Sequence, residues 1–224
     1  MRSSDEWRAI ELQEAYREKV ARNEVRASPL WERPSRGYNV HIELDPLSRS
    51  ALGKVQQSLC QAEPDLLVCP KVTLHVSLAW LLAVHESYPV DKDSLWERHA
   101  EEWTAQLRSI ATESTAFRIT YERVVATDSA VIALARPSEP VNRIREMIRE
   151  RLRLPSETRN EADLVHTTLC RYRARLSDPD KLLAMLEETS VDATAEVEEL
   201  VISKELVYPS LEAEVLERLP LASR

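Results

Sequence analysis

Two short stretches of this chain set an imidazole and a hydroxyl at one fixed spacing: His75-Val76-Ser77-Leu78 and His166-Thr167-Thr168-Leu169. Imidazole has its ordinary pKa closest to neutrality, so it can take or give a proton at physiological pH. A serine or threonine hydroxyl can donate a hydrogen bond to a phosphate oxygen. On a strand, residues i and i+2 point the same way, which puts each hydroxyl about 7 Å from its histidine on one face. Two such units facing each other would bracket one phosphorus atom. One histidine would activate the incoming oxygen and the other would protonate the leaving oxygen, with no metal required. A single His-x-Ser/Thr is a weak signal, matched as well by a core-edge histidine bonded to a nearby hydroxyl. Two of them, at corresponding places in two similar halves, outweigh that account.

Alternation sorts the neighbours of these residues. A strand over 72–82 puts Thr73, His75, Ser77 and Ala79 on one face and Val72, Leu74, Val76, Leu78 and Trp80 on an apolar one. A strand over 164–172 puts Leu164, His166, Thr168, Cys170 and Tyr172 together. Tyr172 is then placed either to stack on a base or simply to pack. Cys170 has no base of its own and does not read as a nucleophile. His41, with Asn39 and Glu43, occupies the non-core face of a strand over 38–44; it either contacts substrate or belongs to a solvated sheet face. His85 and His99 read as surface residues, and the arginines between Arg143 and Arg153 as a solvated basic helix face or a nucleotide contact.

These strands need a frame. After an N-terminal helix over 4–26, with Trp7, Ile10, Tyr16 and Val20 as its apolar edge, and a Pro/Gly-punctuated link over 28–37, the pattern is regular. Strands are expected at 38–44, 66–68, 72–82, 116–125, 130–135, 164–172, 196–206 and 212–219, with helices at 45–60, 93–110, 140–152 and 179–188. The order gives two similar helix-plus-sheet halves, about 38–115 and 116–224, behind an N-terminal helix and linker (1–37).

Composition narrows the chemistry. The chain has 43% hydrophobic and 30% charged residues, an ordinary globular balance. No apolar run is long enough to span a membrane and no secretory leader is evident, so a cytoplasmic location is expected. Cys60, Cys69 and Cys170 are scattered and odd in number, which suits neither a disulfide framework nor a zinc site. A net charge of −8 disfavours a grip on long RNA or DNA and favours a small or terminal phosphate. With 2 glycines, no Gly-rich phosphate loop is available. No cofactor is implied.

At these residues the chain resembles the 2H phosphoesterases, which include the RNA 2′,3′-cyclic phosphodiesterases once called 2′-5′ RNA ligases. His166-Thr-Thr168-Leu169-Cys-Arg171 follows that family's H-x-[ST]-L-x-R form, His75-Val-Ser77-Leu78 matches its first four positions, and their separation has the family's spacing. The resemblance implies an α+β, bilobal fold with two antiparallel sheets lining a central cleft, helices outside, in a single domain over 38–224. It implies His75 and His166 as acid and base, Ser77 and Thr168 on the phosphate, and a nucleotide or RNA-terminus phosphodiester as substrate. Trp80 stands where the second motif has Arg171. Strict alternation also turns Arg171 away from His166, so a phosphate role for it needs a bulge near the strand end. A non-catalytic nucleotide-binding module, or an interaction protein working through its N-terminal helix, would be the alternatives.

Overall fold

A computed structural model describes residues 14–160 and 164–223. Its first helix, α1, covers 14–21, with Val20 fully buried. The helix stops before the expected residue 26 because Asn23 takes a left-handed conformation (φ 54°), one that asparagine tolerates better than most residues. The Asn23 amide then clasps the backbone of Leu176, donating to its carbonyl at 2.8 Å and accepting its N–H at 2.9 Å. Trp7 and Ile10 lie outside the described residues.

The elements then run β1 (Pro34–Glu43), α2 (Pro46–Ala62), β2 (Leu66–Val68), β3 (His75–Leu82), α3 (Lys92–Glu113), β4 (Phe117–Ala126), β5 (Ala130–Ala135), α4 (Glu139–Arg151), β6 (His166–Tyr172), α5 (Pro179–Glu188), β7 (Thr194–Val197), β8 (Glu199–Val207) and β9 (Glu212–Pro220). Helix starts follow local chemistry. Asp45 accepts the N–H groups of Leu47 and Ser48, with Pro46 pre-set for the first turn, and Asp91 and Asp178 cap α3 and α5 in the same way.

Two antiparallel sheets form, ordered β3-β1-β8-β9 and β2-β6-β5-β4-β7. The α+β architecture of two antiparallel sheets with helices is the one the resemblance implied. The sequence halves do not each make one sheet. β8 and β9 return to pair beside β1, and β2 crosses to the edge of β6. The expected strand over 196–206 is really two, because the chain leaves β4's edge at Val197, pairs with β9 from Glu199 and joins β1 from Val201. The expected strand over 72–82 is also shorter: Lys71–Thr73 forms a 3₁₀ turn, so Thr73 is not on the strand with His75.

β1 departs from the reading of one buried and one solvated face. From Gly37 to Ile42 both faces are buried, because β1 is a central strand and its polar face turns inward. Asn39 and His41 satisfy each other there: His41 Nδ1 lies 2.8 Å from Asn39 Oδ1, which also accepts from Ser203 Oγ of β8 at 3.1 Å. The opposite face, Tyr38, Val40 and Ile42, enters the main core with Leu52, Leu59, Trp103 and Leu107. Among the described residues no helix is long and apolar enough to cross a membrane.

Candidate active site

The two motif strands come from different sheets and line one cleft of about 250 Å³. His75, Ser77, His166, Thr168 and Arg171 all reach it. Bulges decide which later residues follow them. Opposite the single β1 step from Val40 to His41, β3 takes two steps, from Ala79 to Ser77. Opposite the β5 step from Val131 to Ile132, β6 takes two, from Cys170 to Thr168. An extra residue shifts the alternation by one position. Leu78 and Ala79 are therefore both buried, as are Leu169 and Cys170, and the next residue in each strand swings onto the histidine face.

That residue is Trp80 in β3 and Arg171 in β6, and both line the cleft. The bulge that a role for Arg171 required is present. The same bulge corrects the reading of Cys170 and Tyr172, which leave the histidine face for the core. Tyr172 is 1% exposed, and its hydroxyl donates to the Thr127 carbonyl at 2.9 Å. It is packed and cannot stack on a base in this cleft. Trp80, placed by alternation on the apolar face, is instead part-buried at the cleft wall.

Both histidines are oriented alike. His75 Nδ1 lies 2.8 Å from the Thr73 carbonyl, and His166 Nδ1 lies 3.3 Å from the Leu164 carbonyl. A carbonyl can only accept, so each bond places the proton on Nδ1 and leaves the Nε2 lone pair free in the neutral ring. Both imidazoles titrate below the ordinary value. For His166, pushed down to about 4, burial is the largest cause; the Leu164 carbonyl opposes it, and Arg145, His75 and Arg171 add to it. For His75 burial again leads, with the Thr73 carbonyl and Glu43 opposing it and Arg171 reinforcing it.

Arg171 supplies the cleft's positive charge. Its guanidinium lies over the Tyr208 ring, 5.1 Å from the centroid, and its buried Nε has no acceptor among the described residues. It is a fixed cation with a donor to offer an anion. Glu205 forms part of the floor, its carboxylate accepting from Ser35 Oγ at 3.0 Å and Ser210 Oγ at 2.6 Å. His85 is exposed, as expected of a surface residue; it stands edge-on to Tyr208, 5.1 Å away, and lines the cleft. His41 lies behind His75, their rings 5.0 Å apart, in an adjoining groove. It is buried, and so does not belong to a solvated sheet face.

Arg145 was missed as an individual. It is 4% exposed and reaches the backbone of both motif segments. The signal was in the sequence: position 145 falls inside the apolar stripe of Val141, Ile144 and Ile148, where a charge has to find buried partners. Glu205 and Tyr208 carried no comparable signal, since only the return of β8 brings them to the cleft. Among the described residues, no three His, Cys, Asp or Glu side chains converge to hold a metal ion.

Comparison with known proteins agrees with this architecture. A family model described as the 2′-5′ RNA ligase superfamily matches residues 40–208, which span both motifs. No curated protein matches the sequence. Among solved structures, TT0787 of Thermus thermophilus superimposes with a TM-score of 0.62 at 19% identity, covering 84% of this chain and 99% of that one. E. coli LigT complexed with NADP+ gives 0.56 at 13% identity, with 84% and 98% covered. E. coli LigT complexed with 3′-AMP gives 0.55 at 13% identity, with 84% and 99% covered. At these identities the likeness is one of fold.

Proposed function

The chain belongs to the 2′-5′ RNA ligase superfamily of 2H phosphoesterases, and from that premise we propose that it hydrolyses a cyclic phosphate or phosphodiester of a nucleotide or RNA terminus by two-histidine acid–base catalysis. One observation carries the reading: two imidazoles in one cleft, each with Nδ1 tied to a carbonyl two residues upstream and Nε2 left free. Ser77, Thr168 and Arg171 hold the non-bridging phosphate oxygens. One Nε2 takes a proton from water as its oxygen attacks phosphorus. The other, protonated, gives its proton to the departing ring oxygen, leaving a phosphomonoester. With proton transfer at both ends supplied by imidazole, the step requires no metal. With a 5′-hydroxyl in place of water as the attacking group, the same two transfers would open a 2′,3′-cyclic phosphate to a 2′-5′ linkage.

The depressed histidines fit this chemistry. Without substrate both rings are neutral at pH 7, which suits the base. An anionic phosphate favours the charged form of a neighbouring imidazole, so binding substrate helps the acid acquire its proton. The nucleotides in the LigT structures support a nucleotide as the group carrying the phosphate.

The test is turnover of 2′,3′-cyclic nucleotides, 2′-5′ and 3′-5′ dinucleotides and cyclic dinucleotides in EDTA, with His75→Ala and His166→Ala alongside. Activity that survives chelation and disappears in both variants is the expected result. Folded wild type that binds nucleotides but turns over none of them would replace the enzyme with a binding module.

A further inference from the structure

β3 and β6 belong to different sheets and share no ladder hydrogen bonds, so something else has to fix the distance between the two histidines. A buried side chain of α4 bridges them. Arg145 Nη2 donates to the Ser77 carbonyl at 2.8 Å and to the Leu164 carbonyl at 3.1 Å. The Leu164 carbonyl is the one that also takes the proton of His166 Nδ1. One guanidinium nitrogen thus touches the backbone of the first motif and the group that orients the second histidine.

The segment after α4 extends the tie along the edge of β3 that β1 leaves open. Asn160 accepts the Trp80 N–H at 2.7 Å and donates to the Trp80 carbonyl at 2.9 Å, and Thr158 Oγ1 donates to the Leu81 carbonyl at 3.1 Å. Arg145 stands at the histidine end of this seam, away from solvent. Burying a guanidinium is costly, and an apolar residue would pack as well on a helix face of Val141, Ile144 and Ile148. What an apolar residue could not do is hold two carbonyls.

We propose that Arg145 is a positioning residue that sets the separation of the two motif strands and the plane of the His166 ring without itself touching substrate. The proposal rests on the acid–base reading of the two histidines. It also bears on charge, since among the described residues the guanidiniums of Arg145 from α4 and Arg171 from β6, and His75 from β3 when protonated, disfavour a charged His166. Removing one should ease protonation of His166, while keeping the charge and losing the two-carbonyl fork should leave titration low and damage geometry alone.

The experiment compares wild type, Arg145→Lys and Arg145→Gln by ring-nitrogen NMR of His166 across pH, together with kcat and KM on a 2′,3′-cyclic nucleotide. Arg145→Gln is expected to raise the His166 midpoint toward the ordinary imidazole value. Arg145→Lys should keep the midpoint low yet lose about tenfold to a hundredfold in kcat, with KM moving less than about threefold. Should Arg145→Gln fail to fold, Arg145→Lys carries the kinetic test. An unmoved midpoint in folded Arg145→Gln, or kcat within about threefold of wild type in Arg145→Lys, overturns the proposal. Absence of turnover in wild type would instead sink the phosphodiesterase reading, and the NMR comparison would still decide whether Arg145 governs His166.

Discussion

β3 and β6 are built alike as far as their fifth motif residue and then diverge. Each opens with a histidine tied through Nδ1 to a carbonyl two residues back, follows with a hydroxyl on the same face, and inserts a bulge after the leucine. Their first six residues share one burial pattern. At the sixth position β3 carries Trp80 and β6 carries Arg171. In the proposed mechanism the shared part would supply proton transfer from both sides. The divergent part would then supply recognition, with charge on one side and an aromatic surface on the other to orient a phosphate and a base.

The strongest way to break the comparison is to remove either histidine. His75→Ala and His166→Ala should each lower kcat by about a thousandfold, and the double variant should lose little more, because the two act as one relay. Steady-state kinetics of the three proteins checks this. A large loss in one variant alone would make the symmetry merely architectural.

Next come the divergent positions. Arg171→Ala should cost about a hundredfold in kcat/KM on every phosphodiester, since it removes the cleft's cation. Trp80→Ala should cost about tenfold, and only on substrates with a base, as expected of one lost stacking surface. A cyclic phosphate without a base serves as the control. Equal losses on both substrates would mean that Trp80 supports the wall and does not read the base.

How much of this pairing was visible beforehand follows from the same strands. Alternation found both motifs, the core face of β1 and the hydroxyl partners, because side-chain periodicity on a strand is a local property. It failed two residues past each hydroxyl. Nothing in Leu78-Ala79 or Leu169-Cys170 announces a bulge, as there is no glycine or proline, and the insertion is fixed by how the neighbouring strands pair. That one cause moved Trp80 and Arg171 into the cleft and Tyr172 out of it. The β7–β8 switch between sheets, which delivers Glu205 and Tyr208, was hidden for the same reason: pairing across distant sequence leaves no local mark.

The two histidines should also separate on titration. Burial depresses both; at His75 the Thr73 carbonyl and then Glu43, paired opposite it in the β1–β3 register, resist the fall, while among the described residues no carboxylate does so for His166. In the free protein His75 should titrate above His166, making His75 the natural acid and His166 the base. NMR titration of the ring protons checks the order, and Glu43→Gln should narrow the gap by lowering His75. kcat/KM should peak below pH 6.5, the unperturbed imidazole value, while bound phosphate should move the kcat profile upward. An optimum above neutrality in kcat/KM would contradict the depressed pair.

The smallest effect concerns stability. In the unfolded chain His166 titrates near the ordinary 6.5, and in the fold near 4. Between those values the unfolded state holds more protons, so stability rises with pH across that window and is lost as pH falls from 6.5 toward 4. His75 adds to the slope in the same direction. Replacing His166 with Gln, which keeps a polar amide but cannot titrate, should flatten the dependence of the melting temperature on pH in this window and leave it little changed above pH 7. His75→Gln should flatten it less, because the Thr73 carbonyl and then Glu43 oppose the depression of that ring, while Arg145 adds to that of His166. Equal flattening by the two variants would mean that the asymmetry of the cleft ends at Trp80 and Arg171 and does not extend to the proton-transfer pair.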